Sequence, residues 1–233
     1  MTQTWGFLTN HALVLIYVVR HNGATVREIS SGVGVTERAT LAILRQLGDE
    51  GIVERSRDGR RNTYAVNFDK LAAYRREGTA SLTPREFVDA MIKTLLAISN
   101  YHGGDANGLT PELLDSGAQD PRMGTWGFFT NHALLLLSIA MESGSTVREM
   151  AAGVGVTERA VVAILNQLEH DRIIVRHRQG RRNTYSIDFD ALHAFKRWSP
   201  GDWPLPPQLV DMAVAGLRAL STDDQSRDGG TAA

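Results

Sequence analysis

The sequence contains no cysteine. That absence excludes a disulfide scaffold, a thiolate zinc site, an iron-sulfur cluster and a cysteine nucleophile, and it suits a reducing cytosol. Aromatics are scarce at 7%. Long apolar runs are missing too: the longest, Ala12 to Val19, falls far short of the roughly 20 residues that cross a bilayer. No basic-then-apolar leader precedes a small-residue cleavage site, so a cytoplasmic protein without membrane contact is expected. Charge of either sign is nearly balanced, at a formal net of -1 over 233 residues. Taken whole, that balance argues against a strongly basic nucleic-acid binder.

What is present is a repeat. The segment Thr4 to Leu71 realigns without a gap onto Thr125 to Leu192, an offset of 121 positions, with more than half of the residues identical. After one inserted residue, Pro84, Val88, Asp89 and Ser99 meet Pro206, Val210, Asp211 and Ser221. Each unit is thus about 95 residues long, a duplicated domain rather than a solenoid repeat of 20 to 50. The expected organisation is a first domain over 4–99, a Gly-, Asp- and Asn-rich linker over 100–124, a second domain over 125–220 and a polar, disordered tail over 221–233.

Caps and periodicity place the elements of one unit. Thr9 or Asn10 caps a first helix to about Arg20, stopped by Asn22-Gly23. Thr25-Val-Arg-Glu28 is a capping box that starts a second helix, and Gly32-Val-Gly34 turns the chain. Thr36 caps a third helix with Ile43, Leu44 and Leu47 on its inner face. Two strands, Ile52 to Arg57 and Thr63 to Phe68, follow around Asp58-Gly59. A short helix near Asp69 to Arg76 and a last helix, Pro84 to Ser99, complete the unit. The fold class is mainly α with small β-hairpin wings (α+β): two winged helix-turn-helix domains, each with an extra C-terminal helix, arranged as a pseudo-dimer.

The string NHALVLIYVVRHNGATVREISSGVGVTERATLAILRQLGDEGIVERSRDGRRNTYAV resembles the MarR-like and ArsR-like winged-helix regulators, with GVTER in the recognition segment and GRRNTY in the wing. The resemblance implies a transcriptional regulator whose partner is double-stranded DNA. In that geometry the third helix enters the major groove, which nominates Thr36, Glu37, Arg38, Leu41 and Arg45 in the first unit and Thr157, Glu158, Arg159, Val162 and Asn166 in the second. Arg38 and Arg159 suit guanine, and Leu41 or Val162 a thymine methyl; equally, Arg38 pairs with a carboxylate and Leu41 joins a protein contact. The chain departs from the family at Ala39, Leu41 and Ala42, and at Ala160, Val162 and Ala163, where relatives carry polar or basic side chains.

The wing tips are basic. Arg55, Arg57, Arg60 and Arg61, with Asn62, recur as Arg176, Arg178, Arg181 and Arg182 with Asn183. Such a row suits phosphates or a minor groove, the alternative being a solvated loop. By segment, residues 4–78 carry +3, 80–124 carry -3, 125–198 carry +2 and 199–233 carry -3. The balanced total is therefore a cancellation between basic wings and acidic flanks.

Helix-turn-helix proteins commonly set two recognition helices one DNA turn apart, and two units in one chain would reproduce that as an intramolecular pseudo-dimer. Phe87, Met91, Leu95 and Ile98, with Leu209, Ala213, Leu217 and Leu220, are the expected association faces. The Trp5 and Phe7 segment, with Trp126 and Phe128, is expected to staple the first helix rather than to form a base-stacking platform, and His11 and His132 to be structural rather than phosphate ligands or pH switches. No motif nominates a catalytic residue, a metal site or a cofactor, so no enzyme is expected. A tandem winged-helix module for protein interaction or chromosome organisation stays open, as do further homo-oligomerisation, a small-molecule effector and a protein partner.

Overall fold

The structure, a computed structural model, describes residues 5–21, 23–59, 61–76, 90–91, 93–95, 97, 122–124, 127–179, 182–195 and 205–228. The first repeat opens with three helices, α1 (Asn10–Arg20), α2 (Val26–Val33) and α3 (Glu37–Asp49), and a hairpin of β1 (Val53–Asp58) and β2 (Arg61–Val66). Then come α4 (Phe68–Ala73) and β3 (Tyr74–Arg76). After β4 (Arg122–Gly124) the second repeat runs through α5 (Asn131–Met141), α6 (Val147–Val154), α7 (Glu158–His170), β5 (Ile174–Gln179), β6 (Arg182–Ile187), α8 (Phe189–His193) and α9 (Pro207–Asp228).

The caps act where the residue types require. Thr9 and Thr130 accept from the backbone of Ala12 and Ala133 at the starts of α1 and α5. Thr25–Glu28 and Thr146–Glu149 form reciprocal capping boxes, which satisfy helix-end N–H groups that would otherwise lack partners. Gly34 and Gly155 end α2 and α6 in the left-handed region at φ 77° and 75°, the turn that swings the next helix across them. The α1 and α5 helices are buried nearly all round, Leu13 and Leu15 completely so, and form the spine of the core. On α3 the sides divide: Thr40, Ile43, Leu44 and Leu47 are buried while Arg38, Leu41, Ala42 and Arg45 are exposed.

Three expectations need correction. The hairpin pairs Asp58 with Arg61, so Asp58, expected in the turn, is the last residue of its strand. The segment Tyr74–Arg76, expected to continue the short helix, is a strand paired in parallel with Arg122–Gly124, the last residues of the expected linker. A parallel pair needs a long crossover, and here the connection spans 77–121. Third, α9 continues to Asp228, so residues 221–228 of the expected tail are helical. Phe87 and Ile98 of the expected last helix of the first unit lie outside the described residues, whereas Met91 and Leu95 are helical and buried. No helix among the described residues is long and apolar enough to cross a membrane.

The repeats meet at their N-terminal segments, through reciprocal bonds between equivalent positions. Leu8 and Phe129, 121 positions apart, form an antiparallel bridge. Thr9 N–H donates to the Phe128 carbonyl at 2.9 Å, and Thr130 N–H donates to the Phe7 carbonyl at 3.1 Å. The two hydroxyls repeat the exchange, Thr9 donating to the Gly127 carbonyl and Thr130 to that of Gly6. Phe7 and Phe129 cross edge to face at 5.8 Å. Trp5 reaches across this joint: its indole stacks on His132 at 4.8 Å and on Phe195 at 4.5 Å, and its Nε1–H donates to Asp171 at 2.7 Å. The tryptophan therefore binds one repeat to the other instead of stapling its own helix; its counterpart Trp126 lies outside the described residues.

Candidate nucleic-acid interface

In each repeat the third helix is held from behind. His11 Nε2 meets Gln46 Oε1 at 3.0 Å, and His132 meets Gln167 at 3.1 Å, tying α1 to α3 and α5 to α7. Burial lowers the pKa of both imidazoles, outweighing the hydrogen bonds to Gln46 and Gln167 and the fields of Glu50 and Asp171 that raise it. Both are partly buried and hydrogen-bonded to a glutamine. With the inner faces fixed, the outer faces present Arg38, Leu41, Ala42 and Arg45, and Arg159, Val162, Ala163 and Asn166, to solvent. Leu41 is 37% and Val162 44% exposed, large apolar side chains that the core does not claim.

The nominated threonines have a prior engagement. Thr36 and Thr157 accept at 3.2 Å from the N–H groups of Ala39 and Ala160 as helix N-caps. Glu37 and Glu158 sit exposed in the first helical turn, where a carboxylate is favoured by the helix dipole.

Beside each third helix stands a hairpin. Arg55, Arg57, Arg61 and Asn62 are exposed, Arg57 donating from Nε to the Gly59 carbonyl at 3.2 Å. Ser56 and Thr63 hydroxyls bond across the strands at 2.7 Å. In the second hairpin Arg178 and Asn183 are exposed, and His177 Nε2 bonds the Ser186 hydroxyl at 2.8 Å. Arg60 and Arg181, and the side chain of Arg182, lie outside the described residues. Arg176 behaves differently from the free wing cation expected: it pairs with Glu169 at 3.0 Å, donates to Asn166 Oδ1 at 3.0 Å, and lies 5.7 Å from the Tyr185 ring centre. Sequence reasoning missed Glu169, although setting it against Gly48 of the first repeat would have drawn attention to it.

The expected association residues of α9 face inward within their own repeat. Leu209, Ala213 and Leu217 are buried, Leu220 is partly buried, and the helix packs against α5 and α8. The described contact between repeats runs instead through residues 5–9 and 127–130 with Asp171, His132 and Phe195.

A helix pair joined by a tight turn, an exposed third-helix face and an adjoining basic two-stranded wing together have the form of a winged helix-turn-helix.

Residues 2–69 match the family described as sugar-specific transcriptional regulator TrmB.

The matched span ends within α4 and so concerns the first repeat. It supports a DNA-binding helix-turn-helix regulator at the coarse level, under a different family description from the MarR-like and ArsR-like one that the motifs resemble. No curated protein and no solved structure matches the chain.

Proposed function

We propose that this chain is a cytoplasmic transcriptional regulator whose two winged-helix units bind double-stranded DNA as an intramolecular pseudo-dimer, third helices toward the major groove and wings on phosphates. The observation that carries the reading is the pairing, in each repeat, of a solvent-facing third helix with a basic hairpin beside it. The reciprocal bonds of Thr9 to Phe128 and of Thr130 to Phe7 support the pseudo-dimer, because in an isologous contact position i of one copy meets position j of the other and j meets i in return. Arg38 and Arg159 are the candidates for base edges; Arg57, Arg61, Arg178 and Arg182, with Arg60 and Arg181, are the candidates for phosphates.

The test is binding of the full chain to duplex DNA across a salt series. Replacing Arg60, Arg61, Arg181 and Arg182 by Ala should lower the slope of log affinity against log salt by up to about 4, roughly one per phosphate contact. Failure of the unaltered chain to bind any duplex at low salt would sink the reading. A second reading, a tandem winged-helix protein-interaction module, is favoured by the exposed apolar residues Leu41, Val162 and Val175. It predicts a third-helix surface whose partner is lost on Leu41→Glu and Val162→Glu without any DNA affinity to lose.

A further inference from the structure

The two units are alike in backbone, so their differences at the outer face carry information about how they would share a duplex. In the second repeat the groove between α7 and the wing is internally neutralised, with Arg176 held by Glu169 and Asn166, each at 3.0 Å. Subtracting the offset of 121 places Arg55, Gly48 and Arg45 at the same three positions of the first repeat. The acid has become a glycine and the amide a second guanidinium. All three first-repeat positions are exposed, and neither Arg45 nor Arg55 has an ion pair with a described residue.

Neighbouring acids do not restore the balance. Glu54 accepts from Asn67 Nδ2 at 3.0 Å, and adjacent strand residues point to opposite faces of the hairpin. Asp49 follows Gly48 by one residue, about 100° further round the helix. Arg45 and Arg55 occupy the positions at which Asn166 and Arg176 meet in the second repeat, and with neither ion-paired to a described carboxylate two such guanidiniums suit a bridging anion. On a duplex that anion is a backbone phosphate: Arg45, nominated from the sequence with the major-groove residues, lies two turns into α3, further from its N-terminus than Arg38 and Leu41. In the second repeat a phosphate at the same place would meet Glu169.

Building on the DNA-binding reading, we propose that the two units grip DNA unequally. Arg45 and Arg55 of the first unit share a backbone phosphate, the second unit makes no equivalent contact, and the chain selects an asymmetric rather than palindromic site.

The test exchanges the two grooves in the full chain. Arg45→Asn with Gly48→Glu gives the first unit the second unit's trio. A Cβ at Gly48 would lie 3.6 Å from the Val53 carbonyl oxygen, an ordinary contact, so the glutamate fits without rebuilding the helix. Asn166→Arg with Glu169→Gln removes the acid from the second groove and adds a guanidinium, the opposite change in charge, at exposed positions. Binding to a random-sequence 30-base-pair duplex is measured between 50 and 200 mM salt, and sites are selected from a random pool. The first exchange should lower the salt slope by about 0.9, so that the fourfold rise in salt costs about 3.5-fold less affinity than in the unaltered chain; the second exchange should raise the slope by a similar amount. A palindromic selected site, or slopes that neither exchange moves, would overturn the proposal while leaving the DNA-binding reading intact. If the unaltered chain holds no duplex at 50 mM salt, both fall.

Discussion

Replacing Trp5 should both destabilise the chain and uncouple its repeats. The side chain is 5% exposed, stacks on His132 and on Phe195, and donates its indole N–H to Asp171 at 2.7 Å. Burying an indole removes roughly 200 Å² from water, worth about 5 kcal/mol at 25 cal/mol per Å². Core tryptophan-to-alanine changes cost about 3 to 5 kcal/mol, and because Trp5 sits at a joint rather than in mid-core, Trp5→Ala should cost about 3 kcal/mol. Trp5→Phe keeps most of the ring area and removes the donor to a carboxylate, so its cost should be about 1 to 2 kcal/mol. Urea unfolding followed by far-ultraviolet circular dichroism reads both. At a slope of about 3 kcal/mol per molar urea, the alanine variant's midpoint should fall by about 1 M. Its single transition should also broaden or split as the repeats lose their mutual support. A cost under about 1 kcal/mol with one sharp transition would show that Trp5 does not join the repeats. Equal losses for the alanine and phenylalanine variants would show that the aromatic stacking contributes nothing.

Two further predictions concern the scaffold behind the third helices. Burial depresses the pKa of His11 and His132 in the folded chain below the ordinary 6.5; between the folded and unfolded values the unfolded chain holds more protons, so stability present above 6.5 should be lost as pH falls below it. Comparing unfolding midpoints from pH 7.5 to 5.5, a His11→Gln, His132→Gln variant should lose less than the unaltered chain; an identical acid limb would refute the assignment. The second concerns Gly32, whose Cβ, if present, would overlap the Tyr17 ring, whereas the second repeat has Ser138 opposite Gly153. Gly32→Ala should therefore cost about 1 to 3 kcal/mol by overpacking, and Tyr17→Ser should recover much of it; a double-mutant cycle with no coupling would show that the two residues do not meet.

Local order was legible in the sequence because it is written in short-range chemistry. Thr9, Thr25 and Thr36 announce helix starts by offering an oxygen to backbone N–H groups three residues on, and the structure uses each that way. The spacing of Ile43, Leu44 and Leu47 fixed the inner face of α3, and with it the exposure of Arg38, Leu41 and Arg45. The short strand at Tyr74–Arg76 escaped notice since its partner at Arg122–Gly124 is remote in the chain and three residues carry no usable period.

Sequence alone determined that the chain holds two like units, where their helices begin and turn, and which third-helix residues reach solvent, for these follow from periodicity, capping and an offset of 121. Only the tertiary structure decided what those residues then meet. It turned Trp5 from its own helix onto His132 of the other repeat, folded the apolar stripe of α9 back onto α5, and bound Arg176 to Glu169, a partner whose equivalent in the first repeat is Gly48. An apolar or charged side chain advertises only that it will be satisfied; which of several distant partners satisfies it depends on how the packed elements meet in three dimensions.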